Sequence, residues 1–249
     1  MALLQVNNVT KRFGGLVANH EVSFQVDQDE VVGLIGPNGA GKTTLFNCIA
    51  GFYPLTSGKV IFDGEEITGL SDFQVARLGL ARTFQIFQAS GDLKVVENVM
   101  VGSFMRTSSR RAAREVALEV MEFLGIADTA GEMMTELPVA AQKRVALATA
   151  LASDPKLLLL DEVGAGLNPS EIDGLIELLQ RVHGERGVAL LLTEHVLEMV
   201  MKLSHRVIVL ESGRKIAEGE PAAVVKDPEV VRAYLGDHYV KRQKENGDA

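Results

Sequence analysis

Residues 36 to 44 read Gly-Pro-Asn-Gly-Ala-Gly-Lys-Thr-Thr, directly after the apolar run Val31 to Ile35 and at the start of a helical pattern from Thr43 to Ala50. Three glycines in six positions weaken any regular element, but they free consecutive backbone N–H groups to curve around an anion. The helix behind them turns its positive end toward the same point. A strand, a glycine turn and a helix in this order commit the chain to an α/β unit with a phosphate-binding loop. Gly36, Asn38, Gly39, Ala40, Gly41, Lys42, Thr43 and Thr44 are its candidate contacts. Lys42 is placed to reach the β- and γ-phosphates of a nucleotide, and the Thr43 hydroxyl to ligate Mg2+.

A second segment completes the chemistry. Leu157 to Leu160 is followed by Asp161 and Glu162. An apolar run of this length reads as a strand buried on both faces of a parallel sheet, with two carboxylates delivered at its C-terminal end. There Asp161 serves the Mg2+ shell, and Glu162 polarises the water for an in-line phosphoryl transfer. The distance in sequence from Lys42 to Asp161 leaves room for a helical insert and argues against small kinases and switch GTPases. The lack of an Asn-Lys-x-Asp guanine reader points the same way.

The rest of the 249 residues supports one α/β assembly with added parts. Leu3 to Val9 and Val22 to Val26 read as strands, and Lys59 to Phe62, Asp63-Gly64 and Glu65 to Ile67 as a two-residue hairpin. These place antiparallel strands in the first third. From about Ser90 to Ala152 the pattern is helical. Ser108-Ser109 caps an amphipathic segment with Val116, Val120, Phe123 and Leu124 at helical spacing, and Gly125 ends it. Strand and helix then alternate through Ser170 to Arg181, Val188 to Leu192, Val196 to Leu203 and Arg206 to Leu210. The expected division is a core over 1–89 and 154–236 that includes the antiparallel part, a helical subdomain over 90–153, and a polar tail over 237–249.

A net charge of −8, 5% aromatic residues and no tryptophan argue against nucleic acid as a partner. Cys48, the single cysteine, reads as a buried helix residue, and no histidine spacing suggests zinc. Without a secretory leader or an apolar stretch near the ~20 residues of a membrane span, the expected place is cytoplasmic, with any membrane role exercised through a partner. Arg110, Arg111 and Arg114 read as a solvated helix face.

These motifs resemble those of one family, the ATP-binding subunits of ABC transporters, over about Leu4 to Gly236. The resemblance implies a P-loop ABC ATPase core with a mixed sheet, an antiparallel β subdomain and a helical subdomain, with ATP and Mg2+ as ligands. Phe13, in Lys11-Arg-Phe-Gly14, looks like the aromatic that stacks on adenine. Gln85, in Ala81-Arg-Thr-Phe-Gln85, is similar to the glutamine that senses Mg2+ and water and borders the membrane subunit. Leu167 and Asn168, followed by Pro169, match the loop that crosses to a second copy, and His195 matches the switch histidine at the γ-phosphate. Together with Asp227 to Gly236, these features are most similar to subunits of branched-chain amino acid importers. That implies a second ATP-binding subunit, two membrane permeases and, indirectly, a solute-binding protein, at the cytoplasmic face of the inner membrane.

One motif departs from the family. Where its signature reads Leu-Ser-Gly-Gly-Gln, this chain has Leu137, Pro138, Val139, Ala140 and Ala141, then Gln142. Pro138 offers neither a hydroxyl nor an N–H, and Ala140 adds a methyl where close approach to a γ-phosphate is needed. Each lost charge-assisted hydrogen bond removes ~1.5–3 kcal/mol from the neighbour's site. The expectation is a heterodimer, with a homodimer as the alternative, in which the sister supplies a normal signature to this chain's nucleotide and the reciprocal site turns over slowly. The competing expectation is a slowly or non-hydrolysing regulatory or scaffold subunit.

Overall fold

The computed structural model describes residues 2–83 and 92–235. In chain order the first part comprises β1 (Ala2–Phe13), β2 (Leu16–Asp27), β3 (Val31–Ile35), α1 (Lys42–Ile49), β4 (Ser57–Phe62), β5 (Glu65–Glu66), α2 (Asp72–Leu78) and β6 (Leu80–Arg82). Three helices follow, α3 (Val95–Ser103), α4 (Arg110–Phe123) and α5 (Val139–Leu151). The chain continues through β7 (Leu157–Asp161), α6 (Pro169–Arg186), β8 (Ala189–Thr193), α7 (Leu197–Leu203) and β9 (Arg206–Glu211). It then runs through β10 (Arg214–Gly219), α8 (Pro221–Val224) and α9 (Pro228–Leu235).

The strands form two sheets. One is antiparallel, in the order β2-β1-β4-β5; the other runs β10-β9-β3-β8-β7-β6, parallel except for β10 at its edge. Strand order in the second sheet explains why the chemistry converges. β3, which feeds the glycine loop, pairs with β8, and β8 pairs with β7, which carries the acidic pair. Their C-terminal ends therefore lie side by side along one edge, where α/β sheets bind ligands.

Alternation sorts the core. On β7, Leu158 and Leu160 face the helical side with α3 to α6, while Leu157 and Leu159 face the antiparallel sheet. On β8, Leu190 and Leu192 divide from Ala189 and Leu191 in the same way. Apolar runs on these strands thus serve two layers at once, the reason they lack polar alternation.

Several expectations hold in detail. The β4–β5 hairpin turns through Asp63 and Gly64, both at positive φ (50° and 81°), the geometry that matches strand twist. Ser109 caps α4 by accepting from the Ala112 N–H, and Gly125 follows at φ 67°. Cys48 is buried in α1, and burial pushes its thiol up to about 11. Arg110, Arg111 and Arg114 are exposed, as read.

Other details need correction. β1 and β2 each run 12 residues, well beyond the apolar runs that announced them, because bulges between Val6 and Lys11 break the two-residue period. On α4 the buried stripe is Ala113, Ala117, Val120 and Met121, with Val116 exposed. Of the residues expected at helical spacing, Val120 and Leu124 are buried, while small alanines rather than Val116 complete the stripe. Residue spacing also missed β10, whose polar sequence Arg-Lys-Ile-Ala-Glu-Gly suits a partly solvated edge strand.

Candidate nucleotide site

The loop between β3 and α1 forms the floor of a cleft of about 540 Å³, lined by Leu16, Val17 and Ala18 of β2, Asn38 to Thr44, Glu162 and Ser212. Its glycines do more than clear space for an anion. A Cβ on Gly36 would meet the Leu210 carbonyl oxygen at 2.2 Å, and one on Gly41 the Ala18 carbonyl oxygen at 2.4 Å, so the loop packs against the protein's own backbone. Gly41, at φ 97°, is the N-cap of α1. The Thr43 side chain is exposed at the first turn of that helix. From α9, Tyr234 hydrogen-bonds the Gly36 backbone.

Lys42 is buried and folded back, its Nζ donating to the carbonyls of Gly36 at 2.7 Å and Pro37 at 3.2 Å. Burial pulls its pKa down, while the charges of Glu162 and Asp161 push it back up. The ammonium group therefore shares its surroundings with both carboxylates of the second motif.

Asp161 is 1% exposed and hydrogen-bonded at both oxygens. Its Oδ1 accepts from the Thr193 hydroxyl at 2.7 Å, and its Oδ2 from Arg82 Nη2 at 2.7 Å. Glu162 leaves the strand in the left-handed region, φ 51°, a conformation that costs a non-glycine residue roughly 1–3 kcal/mol. Its N–H donates to the Thr193 carbonyl, and its Oε1 lies 2.9 Å from His195 Nε2. The strained turn thus directs the Glu162 carboxylate into the cleft and against His195.

Besides Arg82, three further residues outside the predicted set shape this arrangement. Thr193 ends β8 and Glu194 follows it; Glu194 is 3% exposed and accepts from the Gly164 N–H at 2.8 Å, tying the loop after Glu162 to the end of β8. Burial raises the Glu194 pKa, against the backbone donors Gly164 and His195 and the charge of Lys143. Lys143 on α5 donates to the Val163 carbonyl at 2.8 Å, and burial lowers its pKa. Nothing in the local sequence marks Lys143, but a glutamate between a buried strand and His195 was a readable sign.

Other predicted residues do not line the cleft. Phe13 lies at the end of β1, 43% exposed, packed edge-on against Tyr53 at 5.4 Å with Lys11 Nζ over its ring. It is neither core nor lining; its cross-strand partner Leu16, 67% exposed, lines the cleft beside Val17 and Ala18. Leu137, Pro138, Val139 and Ala140 form the start of α5, with Leu137 buried, Val139 exposed and Pro138 the N-cap, which lacks a side-chain bond. Leu167 and Asn168 precede α6, and Asn168 closes a reciprocal cap with Glu171. Gln85 lies outside the described residues.

Metal-donor chemistry here is oxygen only. Among the described residues no three or more His, Cys, Asp or Glu side chains cluster as a metal cage. A hydroxyl at Thr43 and one strand-end carboxylate at Asp161 suit Mg2+, which keeps most of its shell for water and phosphate.

A parallel sheet whose glycine loop and acidic pair meet at one edge defines a P-loop nucleotide-binding protein. The family described as ABC transporter matches residues 19–165, and one described as branched-chain amino acid ATP-binding cassette transporter matches 214–240. The high-affinity branched-chain amino acid transport ATP-binding protein BraF of Pseudomonas aeruginosa is 38% identical, the match covering 94% of this chain and 98% of that one. LivG of Escherichia coli, of the same description, is 37% identical over the same shares. Among solved structures, a nucleotide-free ATP-binding cassette from an ABC transporter superposes with a TM-score of 0.87 at 30% identity, covering 95% of this chain and 100% of that one. The ADP conformation of such a cassette gives 0.86 at 31%, over 95% and 100%. The chain belongs to the ABC transporter family and is an ATP-hydrolysing transporter subunit.

Proposed function

We propose that this chain powers an importer of branched-chain amino acids, as the names of its relatives suggest, from the cytoplasmic face of the membrane. The observation that carries the reading is the single cleft shared by Asn38 to Thr44 and Glu162. Gly36 to Thr44 cradle the triphosphate of ATP, with Lys42 released from its own loop carbonyls to the β- and γ-phosphates. Thr43 and Asp161, with Gln85, hold Mg2+, which when bound neutralises phosphate charge. Glu162 accepts a proton from the attacking water, and His195, already 2.9 Å from that carboxylate, orients it and faces the γ-phosphate. Phe13 is assigned to the adenine side of the cleft.

No helix among the described residues is long and apolar enough to cross a membrane, so the subunit acts through partners. These are two permeases, a second ATP-binding subunit and, indirectly, a solute-binding protein. The helical subdomain, over its described residues 92–153, offers Leu137 to Ala140 to the neighbour's nucleotide, and Leu167 and Asn168 meet the same neighbour. Pro138 at the N-cap of α5 favours a heterodimer with one slow site. Glu162→Gln tests the reading: ATP binding should persist while phosphate release falls at least about 100-fold, the scale of a lost general base. Unchanged release would refute it.

A further inference from the structure

Arg82 ends β6 with its side chain 6% exposed, an unusual place for a guanidinium. It bridges the two halves of the nucleotide machinery. Nη1 donates to Asn47 Oδ1 on α1 at 2.6 Å, and Nη2 to Asp161 Oδ2 on β7 at 2.7 Å. The guanidinium is also held near the rings of Phe46 and Phe52, at 5.9 and 5.8 Å. Packed aromatics and two acceptors fix its direction, so the charge is delivered to one carboxylate oxygen.

We infer that Arg82 is an internal counter-cation for Asp161, a positioning residue that sets how strongly the site demands Mg2+ with its nucleotide. The inference rests on the magnesium-nucleotide reading above. Lys42 and Arg82 stand against Asp161 and Glu162, and Lys143 against Glu162 and Glu194, so the carboxylates face cations before any ligand arrives. With Asp161 neutralised, a second cation gains less there, and a metal-free triphosphate is repelled less. Removing the Arg82 charge leaves a buried carboxylate in need of a cation. Such a site binds Mg2+ more tightly and rejects metal-free ATP.

The test titrates Mg2+ into the full-length chain with a fluorescent ATP analogue and compares binding with that in EDTA. In Arg82→Gln the half-saturating Mg2+ concentration should fall at least about tenfold, as expected for removing a unit charge a few ångströms away, and EDTA-state binding should weaken. Arg82→Lys keeps the charge and should stay within about twofold of the parent, whatever it costs in stability. A purely structural role would weaken both states together and leave the Mg2+ midpoint in place, which overturns the inference. Should Arg82→Gln fail to fold, Asn47→Ala loosens the same guanidinium; its Mg2+ midpoint should fall about threefold, and an unchanged midpoint overturns the inference equally. If the parent chain binds no nucleotide at all, the magnesium-nucleotide reading itself falls.

Discussion

Single residues here divide by whether their chemistry is local or borrowed. Lys42, Asp161 and Glu162 were legible because their neighbours in sequence define their setting. Arg82 and Thr193 were not, since each acts on a group delivered by another strand. Glu194 makes a clear prediction. Its carboxyl is raised above the ordinary value near ~4.3, so folded protein holds a proton that unfolded protein has lost. Stability should therefore fall as pH rises from about 4.3 through the raised value, and Glu194→Gln should flatten that slope. Urea midpoints across this range check it, and parallel slopes for both proteins would contradict it. Cys48 offers a second check. With its thiol buried and raised to about 11, it should resist alkylation at pH 8 in native protein and react on unfolding, as mass spectrometry would record.

At the scale of elements, the strands β3, β7 and β8 were readable from their apolar runs and α4 from its ends, whereas α6, expected from Ser170 to Arg181, runs to Arg186. Asn168-Pro-Ser-Glu171 is a local signal with a physical cost attached, because its reciprocal bonds satisfy N–H groups at the start of α6. Asn168→Ala should lower stability by about 1 kcal/mol, measured by denaturant unfolding. If Asn168 also meets a neighbouring subunit, the loss in an assembled transporter should exceed that in the isolated chain. Helix packing was harder to read. Gly102 on α3 looks like an ordinary helix glycine, yet a Cβ there would stand 1.8 Å from the Thr149 carbonyl oxygen on α5. Gly102→Ala should force those helices apart and cost about 3 kcal/mol, seen as a lower thermal midpoint. An alanine variant as stable as its parent would show that α3 and α5 can slide freely.

For the whole molecule, the departure at Pro138 and Ala140 sets the question of symmetry. Pro138→Ser with Ala140→Gly should restore donors at the start of α5 and raise turnover of the assembled complex roughly tenfold, about one charge-assisted hydrogen bond. No rise would remove the argument for a slow site. The order of residues alone determined the phosphate loop, the acidic pair and the family, because backbone geometry at glycines and the burial of apolar runs are properties of short segments. Tertiary structure alone decided which charges face one another. Strand order β3-β8-β7-β6 carries Thr193 and Arg82 to the two oxygens of Asp161. Pairings between strands far apart in the chain leave no local mark, since the energy that selects them belongs to the assembled core.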